Sequence, residues 1–210
     1  MKPDLLELWK KICLTDDVKA FEQLYYTLFG KLIKFSIYYV HQREAAEEIV
    51  SEVFVKCWSN RNNLSHIEYP ESYLFIAVKN QSLKYHKKYS NIHLVELDDH
   101  QFQLVDLADP SKKLEIKELH HRLDKAIETL PMQARMVFSL IKENGLKYKE
   151  VAQILEISPR TVQTQLFRAI DKLRQALKSL PENEHNSGIK GKIVSILILL
   201  FYSINYLTNL

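Results

Sequence analysis

The sequence predicts an all-α protein: two helical domains joined by an acidic linker, the second a helix-turn-helix domain, and an apolar C-terminal tail. Three observations predict it. Leu, Ile, Lys and Glu recur at three- and four-residue spacings, the 210 residues include only four glycines, and alternating Val/Thr-rich runs are few. A hydrophobic content of 46% is enough for the helices to bury a core. The expected boundaries are an N-terminal helical domain over 1–92, the acidic linker over 93–111, the helix-turn-helix domain over 112–180, and a linker with the tail over 181–210.

In the first domain, residues 17–89 read as a bundle of helices broken near Gly30, near His41–Gln42 and in the polar stretch 60–72. Phe21, Leu24, Tyr25 and Leu28 form one apolar stripe at helical spacing, and Ile49, Val50, Val53, Phe54 and Cys57 form another. The acidic stretch 96–111 ends in Asp-Pro-Ser and lacks a helical period, as a linker would.

The second domain carries the sharpest signal. In "LKYKEVAQILEISPRTVQTQLFRAIDKLRQAL" a proline stands between two helical patterns. Proline is costly inside a helix but suits its first position, where the missing N–H would be orphaned anyway, and Ser158 is a good N-cap. A new helix therefore starts at Pro159. Tyr148, Val151, Ala152 and Leu155 line one face of the helix before it; Val162, Leu166, Ile170 and Leu173 line the helix after it, and Ile157 plugs the turn. This is the helix-turn-helix pattern, whose second helix enters a DNA major groove. Ser158, Arg160, Thr161, Gln163, Thr164, Gln165 and Arg168 are the candidate DNA contacts on that helix, able to bond phosphates or base edges. Lys172, Arg174 and Lys178 extend a basic flank.

The net charge of +3 demands no particular partner, but charge is sorted by segment. Residues 44–52 are acidic, 79–88 hold Lys79, Lys84, Lys87 and Lys88 without an acid, and 96–109 are acidic again. The 79–88 run interleaves cations with Tyr85, with Tyr89 just beyond it, a mixture that suits single-stranded DNA because rings stack on bases while cations track the backbone. Cys13 and Cys57 are the two cysteines, belong to no C-x-x-C pair and read as small core residues of a reduced compartment. The eight histidines are scattered. No metal site, cofactor motif or nucleophile–base arrangement is expected, so the chain reads as a non-enzyme. A recombinase would need a nucleophile among clustered arginines, whereas Arg43, Arg61 and Arg122 lie far apart. Residues 193–210 are apolar nearly all round as a helix, near the length of a membrane span, and read as a segment that anchors, docks or takes a partner. The expected location is the cytoplasm, with residues 193–210 open to membrane association or to docking on the chain or a partner.

These motifs resemble bacterial RNA polymerase sigma factors of the extracytoplasmic-function (ECF) type. "LPMQARMVFSLIKENGLKYKEVAQILEISPRTVQTQLFRAIDKLR" (130–174) is similar to the family's promoter-binding C-terminal region, with Glu156 where that family usually has a turn glycine. "AEEIVSEVFVKCW" (46–58) is similar to the helix that docks on the polymerase clamp, and "YPESYLFIAVKNQSLKYHKK" (69–88) to the segment that recognises the -10 element. The resemblance implies core-polymerase contacts at Glu48, Ser51, Glu52 and Lys56, and -10 contacts at Asn62, Asn63, Lys79, Asn80, Lys84, Lys87 and Lys88. It further implies a -35 contact through the helix after Pro159, a base pocket in loop 60–69 including His66, an acidic linker near the polymerase active centre, and an anti-sigma partner. The competing expectation is a helix-turn-helix regulator that is not a polymerase subunit, in which residues 17–89 carry no polymerase contacts.

Overall fold

The computed structural model describes residues 4–89 and 125–178, and all regular structure among them is helical. They fall into two compact units: 4–89 together with 140–159, and 125–139 together with 160–178. The acidic linker and the apolar tail expected from the sequence lie outside the described residues.

The first unit opens with α1 (Leu5–Thr15), capped by Asp4, whose carboxylate accepts from the backbone N–H groups of Leu6 and Glu7 at 3.0 and 3.3 Å. It ends at Asp16, which adopts the left-handed conformation, and Asp17 then caps α2 (Val18–Val40). The expected bundle began at residue 17; α1 is an additional helix, and it puts Trp9 and Ile12 fully inside the core. The expected break near Gly30 does not occur. Gly30 has open space around its Cβ position, and α2 passes through it because Leu24, Leu28 and Leu32 continue one buried stripe on both sides. The break at His41 is real: His41 takes a left-handed C-cap at φ 56°, its N–H donating to the Ile37 carbonyl at 2.9 Å.

Helix α3 (Arg43–Ser59) follows and buries Ile49, Val50, Val53, Phe54 and Cys57, the whole of the expected stripe. A 3-10 turn (Arg61–Asn63) and an irregular loop lead to α4 (Pro70–Tyr89), which starts on proline and ends on His86, Lys87 and Lys88, cations placed where the helix dipole favours them. Helices α1, α3 and α4 pack on α2 around Phe54, Leu74, Phe75 and Trp9. Both cysteines are buried here, and burial pushes the Cys57 thiol up to about 12.

The chain re-enters this unit after α5 (Met132–Phe138), which belongs to the second unit and runs into a π-helical turn, Ser139–Glu143. Gly145 at φ 76° reverses the chain in a conformation that favours glycine. α6 (Tyr148–Leu155) then packs against α4 and buries Val151, Ala152 and Ile154. Leu155 and Tyr148 are only half-buried, so the inward face of α6 is turned toward Ile154 relative to the stripe expected from the sequence. After a three-residue turn comes α7 (Pro159–Lys178) in the second unit.

Candidate nucleic-acid and polymerase interfaces

Helix α7 divides cleanly by chemistry. Val162, Leu166, Ala169, Ile170 and Leu173 are at most 2% exposed, which accounts for every expected core position of this helix. Arg160, Thr164 and Arg168 are exposed at successive i, i+4 positions, with Thr161 and Gln165 half-buried beside them, and Gln163 half-buried toward the inner face. The Thr164 hydroxyl donates to the Arg160 carbonyl at 2.9 Å, and the Gln165 amide reaches the Gln133 side chain on α5 at 3.3 Å. Ser158, just before Pro159, is exposed.

Two cations, Lys172 of α7 and Arg135 of α5, tie their helices to the chain before α5. The Lys172 ammonium donates to the Thr129 carbonyl at 2.6 Å. The Arg135 guanidinium donates to the carbonyls of Glu128 and Leu130. These carbonyls end a short helical segment at 125–128, where cations are favourably placed. Lys172 therefore serves the packing of α7 and not, as expected, only a basic flank.

The turn between α6 and α7 rests on Glu156, which is left-handed at φ 55° and ψ 43°. Its N–H and that of Ile157 close the last turn of α6 by donating to the carbonyls of Gln153 and Ala152, at 3.4 and 3.0 Å. A glycine would adopt this backbone without steric cost; glutamate does so at some expense. Its carboxylate lies 2.7 Å from the Lys79 ammonium of α4, which holds the Glu156 carboxyl below the usual carboxylate range.

On the first unit, the candidate polymerase residues share the outer face of α3. Glu48, Glu52 and Lys56 are exposed and Ser51 is half-buried. Glu52 pairs with Lys56 at 2.7 Å and accepts from the Gln81 amide of α4 at 2.7 Å; the Lys56 hydrogen bond is the main reason its carboxyl is held below its ordinary value. Val55, 64% exposed, adds an apolar patch to the same face. The loop 60–69 is held from behind. Arg61 lies over the Trp58 ring at 4.3 Å, donates to the Trp58 carbonyl at 2.8 Å and pairs with Asp16, while the Trp9 indole N–H donates to the Leu64 carbonyl at 2.9 Å. Asn62, Asn63 and His66 are left exposed on this braced loop. Sequence reasoning missed the braces; an Arg beside a Trp, at 61 and 58, was the available signal.

On α4, Asn80, Lys84, Lys87 and Lys88 are exposed, and the rings of Tyr85 and Tyr89 lie against each other, tilted by 40° with centroids 4.5 Å apart. Lys79 departs from this set. It is 4% exposed and turned inward to Glu156, so in this arrangement it is closed to a nucleic-acid strand, contrary to its expected place among the open cations. Among the described residues no cluster of His, Cys, Asp or Glu could hold a metal ion, and no helix is long and apolar enough to cross a membrane.

A helix-turn-helix whose second helix opens on proline and carries a cationic, amide-bearing outer face is the arrangement of a nucleic-acid-binding protein. Similarity to known proteins places it more closely. Residues 120–173 match the family described as sigma-70, region 4. The chain is 23% identical over 172 residues to the RNA polymerase sigma-H factor of Pseudomonas aeruginosa, covering 78% of this chain and 89% of that one. It is 26% identical over 173 residues to the ECF RNA polymerase sigma factor SigM of Bacillus subtilis, covering 81% and 98%. Its fold is similar to that of the sigma factor RpoE of Bartonella quintana, solved with the anti-sigma factor NepR: TM-score 0.57, 20% identity, 78% of this chain and all of that one. Residues 120–173 thus match sigma-70 region 4, and the chain over most of its length is similar to ECF sigma factors.

Proposed function

We propose that this chain is a sigma factor: it binds core RNA polymerase and directs promoter-specific initiation, recognising -10 and -35 elements and helping to open the DNA. The observation that carries this is α7, whose buried stripe and exposed Arg160, Thr164 and Arg168 lie inside the segment that matches sigma-70 region 4. In this reading Ser158, Arg160, Thr161, Gln163, Thr164, Gln165 and Arg168 serve the -35 element, with arginine favouring guanine and glutamine favouring adenine.

The first unit divides the remaining labour by charge. Carboxylates repel phosphate, so the acidic face of α3 with Glu48, Ser51, Glu52 and Lys56 is assigned to basic polymerase residues. Asn62, Asn63, Asn80, Lys84, Lys87 and Lys88 are assigned to the -10 element, joined by Lys79 once it is uncovered. Tyr85 and Tyr89 offer faces on which separated bases can stack, each worth about 1–3 kcal/mol. The chain needs no cofactor and performs no catalysis in this role. It acts in the cytoplasm, with residues 193–210 as the segment for membrane or partner contact. The RpoE neighbour is held by an anti-sigma factor, and a protein of that kind is the proposed regulator here.

The test is run-off transcription with core polymerase and a library of promoter sequences. Promoter-specific transcripts that depend on this protein are expected. Their absence, with DNA binding retained, would leave a helix-turn-helix regulator that is not a polymerase subunit.

A further inference from the structure

We propose that the Lys79–Glu156 ion pair is a latch: in the free protein it seats the end of α6 on α4, and it must open before the chain can engage both promoter elements. The consequence of opening rests on the proposed sigma-factor function, whereas the closed contact stands on geometry alone.

Lys79 is 4% exposed, and its ammonium finds Glu156 Oε1 at 2.7 Å. A buried ammonium without a counter-charge is strongly disfavoured, so this carboxylate is what allows Lys79 to lie inside. Glu156 supplies that charge from a left-handed backbone that glycine would fill more easily. What the position gains from a glutamate is therefore its carboxylate and not its backbone. The contact is broader than the pair, because α6 packs along α4, and Tyr39 of α2 also faces Glu156, its phenol pushed up to about 12 by burial first and by the Glu156 charge second.

Geometry then sets the conflict. Promoter elements about 25 base pairs apart are separated by roughly 85 Å of B-form DNA at about 3.4 Å per pair. The turn at Glu156 leads within three residues into α7, the -35 helix, whereas Lys79 belongs to the -10 helix. A 2.7 Å contact between them cannot persist when each helix sits on its own element. Opening costs Lys79 its carboxylate, and a DNA phosphate offers the same charge in exchange. The latch is thus an intramolecular anion standing where the promoter's anion must go, and promoter DNA competes with it directly.

The experiment uses the full chain with two substitutions, Glu156→Gln, which removes the charge, and Glu156→Gly, which also relieves the backbone and so guards against a failure to fold. Amide hydrogen exchange over 148–155 in the free protein reads the closed state, and promoter affinity in the presence of core polymerase reads its cost. Both variants are expected to exchange faster over 148–155, and to bind promoter about 3- to 10-fold more tightly, because the population that must open first is smaller. Unchanged exchange in both variants would overturn the latch, and so would faster exchange without a gain in affinity. Failure of the wild-type chain to support any promoter-specific transcript would instead overturn the sigma-factor reading, while the exchange arm still decides whether the contact exists.

Discussion

The outer faces of α7 and of the α3–α4 pair are built on opposite plans. On α7 the stripe Val162, Leu166, Ala169, Ile170 and Leu173 is buried and Arg160, Thr164 and Arg168 project from the other side, with anchoring left to Lys172 and Gln165 at the margins. Across α3 and α4 part of the polar surface is tied internally: Glu52 of α3 pairs with Lys56 and with Gln81 of α4, and α2 reaches α4 through Lys31–Glu71 at the surface and Ser36–Ser82 in the interior. A face meant to read bases must present donors at fixed positions to a rigid partner. Under the proposed function the α3–α4 face serves two partners and holds some of its charges in reserve, so that a new contact there displaces an internal one.

The largest expected effect strikes the first plan from within. Leu166 is 1% exposed, and Leu166→Ala should destabilise by about 2–5 kcal/mol as the cavity fails to close, abolishing -35 binding while α3 still associates with polymerase. Chemical denaturation and a polymerase pull-down check the two halves; loss of both activities would mean that the units unfold together. Next, Arg160→Ala and Arg168→Ala should each cost about 1–3 kcal/mol of promoter affinity, with different base dependence, whereas Lys87→Ala should weaken binding evenly across sequences and lower the salt slope by about 1. Binding titrations against mutated promoters at several salt concentrations would show whether α7 reads and α4 tracks, or the reverse.

Charge reversal at Glu52 should weaken polymerase association by roughly tenfold, about 1.4 kcal/mol, with a strong dependence on ionic strength. An unaltered association constant would remove α3 from the interface. Gln81→Ala deletes one exposed hydrogen bond to Glu52 and should cost at most about 1 kcal/mol of stability, the smallest effect of the series. The same link has a pH signature. The Glu52 carboxyl is held below its ordinary 4.5, so its contribution is fully present above that value and is lost as pH falls through the lowered one. Acid titration of the wild type should therefore show a loss of stability below about pH 4.5 that is smaller in Glu52→Gln.

Much of this was legible beforehand because helical periodicity reports directly on burial. The stripe from Ile49 to Cys57 and the stripe from Val162 to Leu173 are buried as spacing alone indicated, and Pro159 opens its helix. Periodicity failed where a weak local signal met a strong neighbour. Gly30 suggested a break, but one flexible residue costs only about 1 kcal/mol in a helix whose two halves share a buried face. It failed likewise at α6, where Ile154 and not Leu155 became the innermost residue, because packing on α4 chooses among adjacent apolar positions that a short helix leaves nearly equivalent. Helix α1 was passed over as a separate element, since its capping signal, Asp4, lies at the very start of the chain.

By itself, the sequence determined the all-helical class, the start of α7 at Pro159, the buried stripes of α3 and α7, and the sorting of charge by segment. Those properties are local, depending on residues within a turn or two of one another. Only the tertiary structure decided that Lys79 is buried, that Glu156 is its counter-charge, that Gln81 ties α4 to Glu52, and that Trp9 and Arg61 brace the loop presenting Asn62 and Asn63. The physical reason is that a charge's environment is set by whatever packs opposite it. Lys79 looks like every other lysine of its run until α6 brings a carboxylate to its tip.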